Sequence, residues 1–322
     1  MPRVKTWNFS NAAPPDIRRG MSRTSPTARA TLTIALCAVL FGLVPLFARI
    51  LQAEGMDPAA IALSRYGLTA LVAAPFLPWR RAVRRQVLVL AGTGLACGLG
   101  WVAYLEAIGR TTVAAAGVVY MSYPAFALGF AWLLLGLAPS GRAVAAAAMV
   151  LAGALLVSGG AGVGDPLALL LMLPAPAFFA LVIVALAALA PDLAPMEKLA
   201  ATMAGTVAGL LPLAALAAPG TLLPGTGPGW AALLGSGLLT ALLPQWLYVR
   251  AAPHVGPGRA AAAGAFELPT MLAIGALAFG ELVGPREVAA ALLVLAAIGL
   301  SPSVRPAGPA PARPGAGRLS RR

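Results

Sequence analysis

The sequence predicts an all-α polytopic membrane protein, with ten transmembrane helices as two inverted five-helix repeats. Composition, segment length and an internal duplication predict it. Hydrophobic residues make up 60% of the 322, charged residues only 10%, and mean hydropathy is +0.86. Soluble domains carry about 25% charged residues, and this much apolar side chain exceeds what one aqueous core can hide. Two blocks also read alike. GWVAYLEAIGRTTVAAAGVVYMSYPAFALGFAWLLLG begins at Gly100, and PQWLYVRAAPHVGPGRAAAAGAFELPTMLAIGALAFGE begins at Pro244. Trp101 matches Trp246, Tyr104 matches Tyr248, Pro124 matches Pro269 and Gly136 matches Gly280, at offsets of 144 or 145.

Apolar runs of about 20 residues, enough for about 30 Å of hydrocarbon, fall near 31–52, 58–78, 86–108, 112–136, 142–160, 166–190, 196–218, 229–250, 259–280 and 286–303. Helices satisfy their own backbone hydrogen bonds in lipid, and the signal lacks the alternation of a barrel. Breaks carry Pro, Gly or charge: MDP at 56–58, PWRRAVRR at 78–85, APSGR at 138–142, GVGDP at 162–166 and PGTLLPGTGPG at 219–229. The domains expected are a basic disordered tail (1–30), repeats at 31–160 and 161–303, and a Pro/Arg-rich disordered tail (304–322). Met21 opens a second candidate start, and the length of the first apolar run argues against a cleaved signal peptide.

Nineteen of the 23 Lys and Arg residues fall in the two tails and in the connections after spans two, four, six and eight. The positive-inside rule then puts both termini in the cytoplasm of a cell whose inner membrane the chain crosses. The net charge of +13 fits anionic membrane lipid and topology rather than nucleic acid. Cys37 and Cys97 lie in apolar segments, so neither a disulfide framework nor a cysteine zinc site is expected. His254 is alone in a connection.

Charge within a span is costly and tends to serve function. Glu267 lies about eight residues into span nine, two before Pro269, where a proline frees a carbonyl and opens a helix lining a cavity. A carboxylate there exchanges protons with a cationic or zwitterionic substrate, or bonds a neighbouring helix or an arginine. Arg65, in span two, binds a substrate carboxylate or phosphate, pairs with Glu106 or Glu267, or snorkels outward. Glu106 is a further candidate for substrate contact or coupling and matches Arg250 in the duplication, the alternative being that both simply reach water, and Glu281 reads as a helix-boundary or packing residue. Trp101, Tyr104, Tyr123, Trp246 and Tyr248 are candidates to wall a cavity, and Pro124 and Pro269 to kink their helices. Tyr120, Phe126 and Phe266 belong to the same clusters of aromatics, and those near span ends, chiefly Trp79, Tyr120 and Trp230, alternatively suit an interfacial belt. Gly94/Gly98 and Gly205/Gly209 suit close helix packing.

The first span AVLFGLVPLFARI, the second span PAAIALSRYGLTAL, and the Pro-containing fourth and ninth spans YPAFALGFAWLLLGL and LPTMLAIGALAFGEL together resemble the drug/metabolite transporter superfamily, specifically its EamA-type permeases, over about residues 31–303. The carboxylate that ends the fourth span in that family is Leu137 here, whereas its counterpart Glu281 is kept. The resemblance implies export of a small metabolite or amino-acid-like solute, with protons as coupling ion.

No GxxxxGK[ST], HExxH or GxSxG occurs, so neither ATP hydrolysis nor a familiar catalytic site is indicated, and no cofactor or metal is called for. The function expected is a secondary active transporter working by alternating access between two repeats. The alternatives are a channel or a non-transporting membrane protein, and an intramembrane lipid enzyme. A small-molecule substrate is implied, and no oligomeric state is.

Overall fold

The computed structural model describes residues 26–158, 166–251, 254–255 and 263–300, and these are helical with short connections. In chain order they form α1 (Pro26–Gly42), α2 (Val44–Ala53), α3 (Pro58–Ala73), α4 (Arg84–Ile108), α5 (Val113–Tyr120), α6 (Tyr123–Leu135) and α7 (Gly141–Ser158). The second half contains α8 (Pro166–Met172), α9 (Pro174–Val184), α10 (Pro195–Leu216), α11 (Gly227–Gly237), α12 (Leu243–Ala251), α13 (Glu267–Phe279) and α14 (Pro285–Leu300).

Among the described residues, seven helical stretches, some with a break inside them, are long and apolar enough to cross a membrane: Pro26–Ala53, Pro58–Phe76, Arg81–Ile108, Val113–Leu135, Leu167–Leu189, Pro195–Leu216 and Gly227–Ala251. Gly141–Leu156, Glu267–Phe279 and α14 are apolar but shorter. Pro26–Ala30, expected in the disordered tail, instead open α1. The rest of both tails lies outside the described residues.

Caps follow the local chemistry. Asp57 accepts from Ala59 N at 2.8 Å at the start of α3, and Thr226 accepts from Gly229 N at 3.1 Å at the start of α11, satisfying donors that a helix start leaves free. Gly136 and Gly280 end α6 and α13 in the left-handed region (φ 67° and 64°), the duplicated position where glycine costs least.

Several expected spans are interrupted rather than continuous. α1 and α2 part at Leu43, and α8 and α9 part at Leu173. α5 and α6 part at Met121–Ser122, and a turn at Ala265–Phe266 precedes α13. Pro45, Pro124, Pro174 and Pro269 stand in the first turns that follow. There a missing N–H breaks no hydrogen bond of the helix that begins. Five-residue π-turns add bulges at Ala185–Leu189 and Leu238–Leu242.

The pairings between helices are symmetric. α4 packs on α10, and α3 on α11. α4 packs on α8 and α9, and α12 and α11 on α1 and α2. α6 packs on α9, and α13 on α2. α7 and α14 pack on each other, as do α3 and α10. Exchanging the halves turns each of these pairings into another that is also present.

The tightest contact joins α4 to α10. A Cβ on Gly94 would meet the Thr202 carbonyl, and one on Gly98 would lie 2.8 Å from the Thr206 carbonyl. One on Gly205 would meet the Ala91 carbonyl, and one on Gly209 would lie 2.9 Å from that of Leu95. Thr206 Oγ1 donates across the contact to Gly94 O at 3.0 Å. Arg80 pairs with Glu197 at 2.7 Å at one end of this seam.

Candidate functional site

The broken helices bring their breaks together. α13 crosses α5 antiparallel: Val113 lies against Gly275, and Gly117 against Leu268 and Met271. At the first break, α1 and α2 lie against α13, so that a Cβ on Gly42 would sit 2.9 Å from Glu267 O. Pro124 and Pro269 supply no N–H, so the carbonyls of Tyr120 and Ala265 lose their helical donors. Polar backbone is thereby exposed inside an apolar bundle. Ser122 Oγ, at the first of these breaks, is buried without a partner, as are Thr69 Oγ1 and Gln245 Oε1.

Glu267 opens α13, in the turn where a carboxylate also faces the positive end of the helix dipole. Its carboxylate lies within electrostatic reach of Arg65, Tyr66, Tyr104, Tyr120 and Tyr123. Among the described residues it has neither an ion-pair nor a hydrogen-bond partner. It is half-buried.

Arg65 differs. It is 4% exposed, and its guanidinium donates to Thr240 Oγ1 at 3.0 Å, Thr240 O at 3.0 Å and Tyr66 OH at 3.2 Å. Its Cζ sits 4.4 Å from the Trp101 ring centre and 4.8 Å from that of Tyr66. Thr240 lies in a π-turn, where altered backbone pairing leaves its carbonyl accessible to a side chain. Arg65 is therefore satisfied within the protein, clamping α3 to the π-turn between α11 and α12, and it pairs with neither Glu106 nor Glu267.

Trp101, Tyr104 and Tyr123 join Tyr66, Tyr120 and Phe179 in one aromatic wall. Neighbouring ring centres are 5.1–6.2 Å apart, mostly tilted or edge-on, the geometry ring quadrupoles favour. Tyr120, for which the sequence left a cavity wall and an interfacial belt both open, is 5% exposed at the centre of this wall. Trp79 is exposed, as a belt residue would be.

The duplicated positions look different. Tyr248 is 41% exposed and Phe266 is 55% exposed, whereas Tyr104 is 1% exposed. Trp246 is half-buried and carries Arg250 over its ring at 3.9 Å. Glu106 stands apart from the site, half-exposed and paired with Arg110 at 2.7 Å.

Sequence reasoning passed over Tyr66, Phe179 and Thr240. Tyr66 had a signal in its adjacency to Arg65, whereas Phe179 and Thr240 are ordinary residues of apolar spans. Among the described residues no three His, Cys, Asp or Glu side chains gather as metal ligands.

Comparison with known proteins finds two repeats in the chain. The family model described as "EamA-like transporter family" matches residues 28–159 and again 166–301. Among solved structures, one described as "Crystal structure of protein" has the same fold, with a TM-score of 0.58 at 18% identity, over 84% of this chain and 96% of that one. No curated protein matches. With most of its length matched in two consecutive repeats, this integral membrane protein belongs to the EamA-like transporter family.

Proposed function

We propose that the protein is a secondary active carrier that exports a small metabolite or amino-acid-like solute by alternating access, exchanging it for protons through Glu267. In this reading five spans from each repeat make ten. Because five is odd, the repeats are inverted relative to each other, with both termini cytoplasmic and the chain in the inner membrane. The observation that carries the reading is the unequal state of duplicated positions. The wall containing Trp101 and Tyr104 is buried, whereas the counterpart Trp246 is half-buried and Tyr248, with Phe266, is exposed. Two like halves, one closed and one open, are what a carrier caught facing one side should present.

The geometry supports a role for each residue. Glu267, unpartnered at a helix break, takes the proton or the substrate's cationic group. The aromatic wall of Trp101, Tyr104 and Tyr123 stacks on its apolar part, with Trp246 and Tyr248 taking over in the opposite state. Arg65 holds the wall and the π-turn in register. Pro124 and Pro269 keep the breaks open.

Counterflow in proteoliposomes tests the reading. Vesicles preloaded with each member of a panel of amino acids and polar metabolites should accumulate the labelled form of at least one solute, and a proton gradient should drive it. A panel with no trans-stimulated exchange overturns the carrier, and gradients that simply dissipate indicate a channel. Exchange that keeps its full pH dependence in Glu267→Gln removes Glu267 as the coupling group.

A further inference from the structure

The duplication leaves one end of the bundle with a largely buried ion pair whose duplicated counterparts are uncharged, whereas the Arg80–Glu197 pair at the opposite end is more exposed and joins other positions. Arg49 Nη1 lies 2.7 Å from Glu281 Oε1, and both side chains are largely buried. Arg49 Nη2 also donates to the carbonyls of Thr111, at 2.5 Å, and Ile108, at 3.4 Å, and its guanidinium sits 4.8 Å from the Phe279 ring centre. Glu281 accepts from Val113 N at 3.0 Å and 2.8 Å, capping the start of α5. Gln52 Nε2 donates to the Leu105 carbonyl beside it. One ion pair thus ties together the ends of α2, α4 and α13 and the start of α5.

The counterpart positions carry none of this. Glu281 corresponds to Leu137, which is exposed. Aligning the breaks at Leu43 and Leu173 sets Arg49 against Phe179, which packs on Tyr120 and Tyr123. The backbone turn is conserved between the halves: Glu281 N donates to Gly275 O at 2.9 Å, and Leu137 N to Ala131 O at 3.3 Å. Only the second half has a glycine there. A Cβ on Gly275 would lie 2.6 Å from Glu281 Oε2, so the missing side chain makes room for the carboxylate.

We propose that Arg49 and Glu281, with the space left by Gly275, form a one-sided latch that holds this end of the bundle closed over the aromatic wall. Release of the pair opens the wall to water from that side. Its use as a gate rests on the carrier reading, whereas its geometry does not. The two ends then close differently, by a largely buried ion pair at one and by apolar contact with only the more exposed Arg80–Glu197 pair at the other, so the closed-here state predominates without substrate.

Cys97 reports on the latch. It is 7% exposed, lies one turn from Trp101 and, after Cys37→Ser, is the only thiol. It sits about 16 Å along α4 from Ile108, at 1.5 Å per residue. In sealed proteoliposomes of one orientation, a membrane-impermeant maleimide is added to the face bearing Glu281. Glu281→Gln should raise the alkylation rate of Cys97 about tenfold, the population shift given by loss of one charge-assisted contact. Arg49→Lys, which keeps the charge, should raise it less than Arg49→Ala, and Gly275→Ala should raise it with the ion pair chemically intact. Unchanged rates in Glu281→Gln and Arg49→Ala overturn the proposal. Where those variants do not fold, an unchanged rate in Gly275→Ala overturns it. Unchanged rates alongside intact wild-type counterflow remove the latch and spare the carrier. Latch-dependent rates with no counterflow do the reverse.

Discussion

Gly98→Ala and Gly92→Ala are the same chemical change six residues apart on α4, with opposite predicted results. Gly92 faces outward, with nothing within 4 Å of an added Cβ, whereas one on Gly98 meets Thr206 O at 2.8 Å and Leu210 Cγ at 3.2 Å. Ordinary contact begins at 3.4 Å, so α4 and α10 must part by about 0.6 Å. Overpacking of this kind costs about 1–3 kcal/mol. Alanine also gains about 0.5–1 kcal/mol over glycine in a helix interior, but that gain is common to both variants and cancels. Gly92→Ala should therefore be neutral or stabilising, with Gly98→Ala about 1–3 kcal/mol below it, or about 5- to 150-fold in the folding equilibrium. Unfolding by sodium dodecyl sulfate in bicelles, followed by helix content, measures both. A difference under about 0.5 kcal/mol, the scatter of ordinary surface substitutions, would refute the close approach of the two backbones.

Thr240→Val keeps the shape of the π-turn but removes the hydroxyl acceptor of Arg65 Nε, and should destabilise by about 1–2 kcal/mol. Thr240→Ser, tested in the same assay, should retain most of that. Glu106→Gln should cost no more than about 0.5 kcal/mol, as expected for an exposed i,i+4 pair, and leave solute exchange unchanged. A large loss of exchange would return Glu106 to the site. Pro269→Ala gives the Ala265 carbonyl a donor and lets the helix run through the break, so exchange should slow while the protein remains as stable to detergent as before. Unaltered exchange kinetics would show that the break plays no part in movement.

Which residues were legible follows from the range of the physics involved. Pro124 and Pro269 announce helix breaks because a missing N–H acts within one turn. Gly94, Gly98, Gly205 and Gly209 announce close packing because four-residue spacing puts two gaps on one face. Arg65 and Glu267 stand out because charge is rare in an apolar segment. Their partners were not legible. Nothing local distinguishes Glu267, left free, from Glu281, bound to Arg49, or tells Arg65 that its acceptor is Thr240, 175 residues away. Tyr120 lies near a span end by sequence, yet tertiary packing seats it centrally among five other rings.

The sequence by itself determined that the chain is apolar, duplicated and helical, because lipid leaves the backbone few ways to satisfy its hydrogen bonds and because a repeat is visible as spelling. Only the tertiary structure decided how like positions became unlike: Tyr104 buried and Tyr248 exposed, Leu137 bare and Glu281 clasped. Two copies of one pattern share their local energetics, and they diverge only through contacts with residues far away along the chain. That divergence is a property of the packed whole.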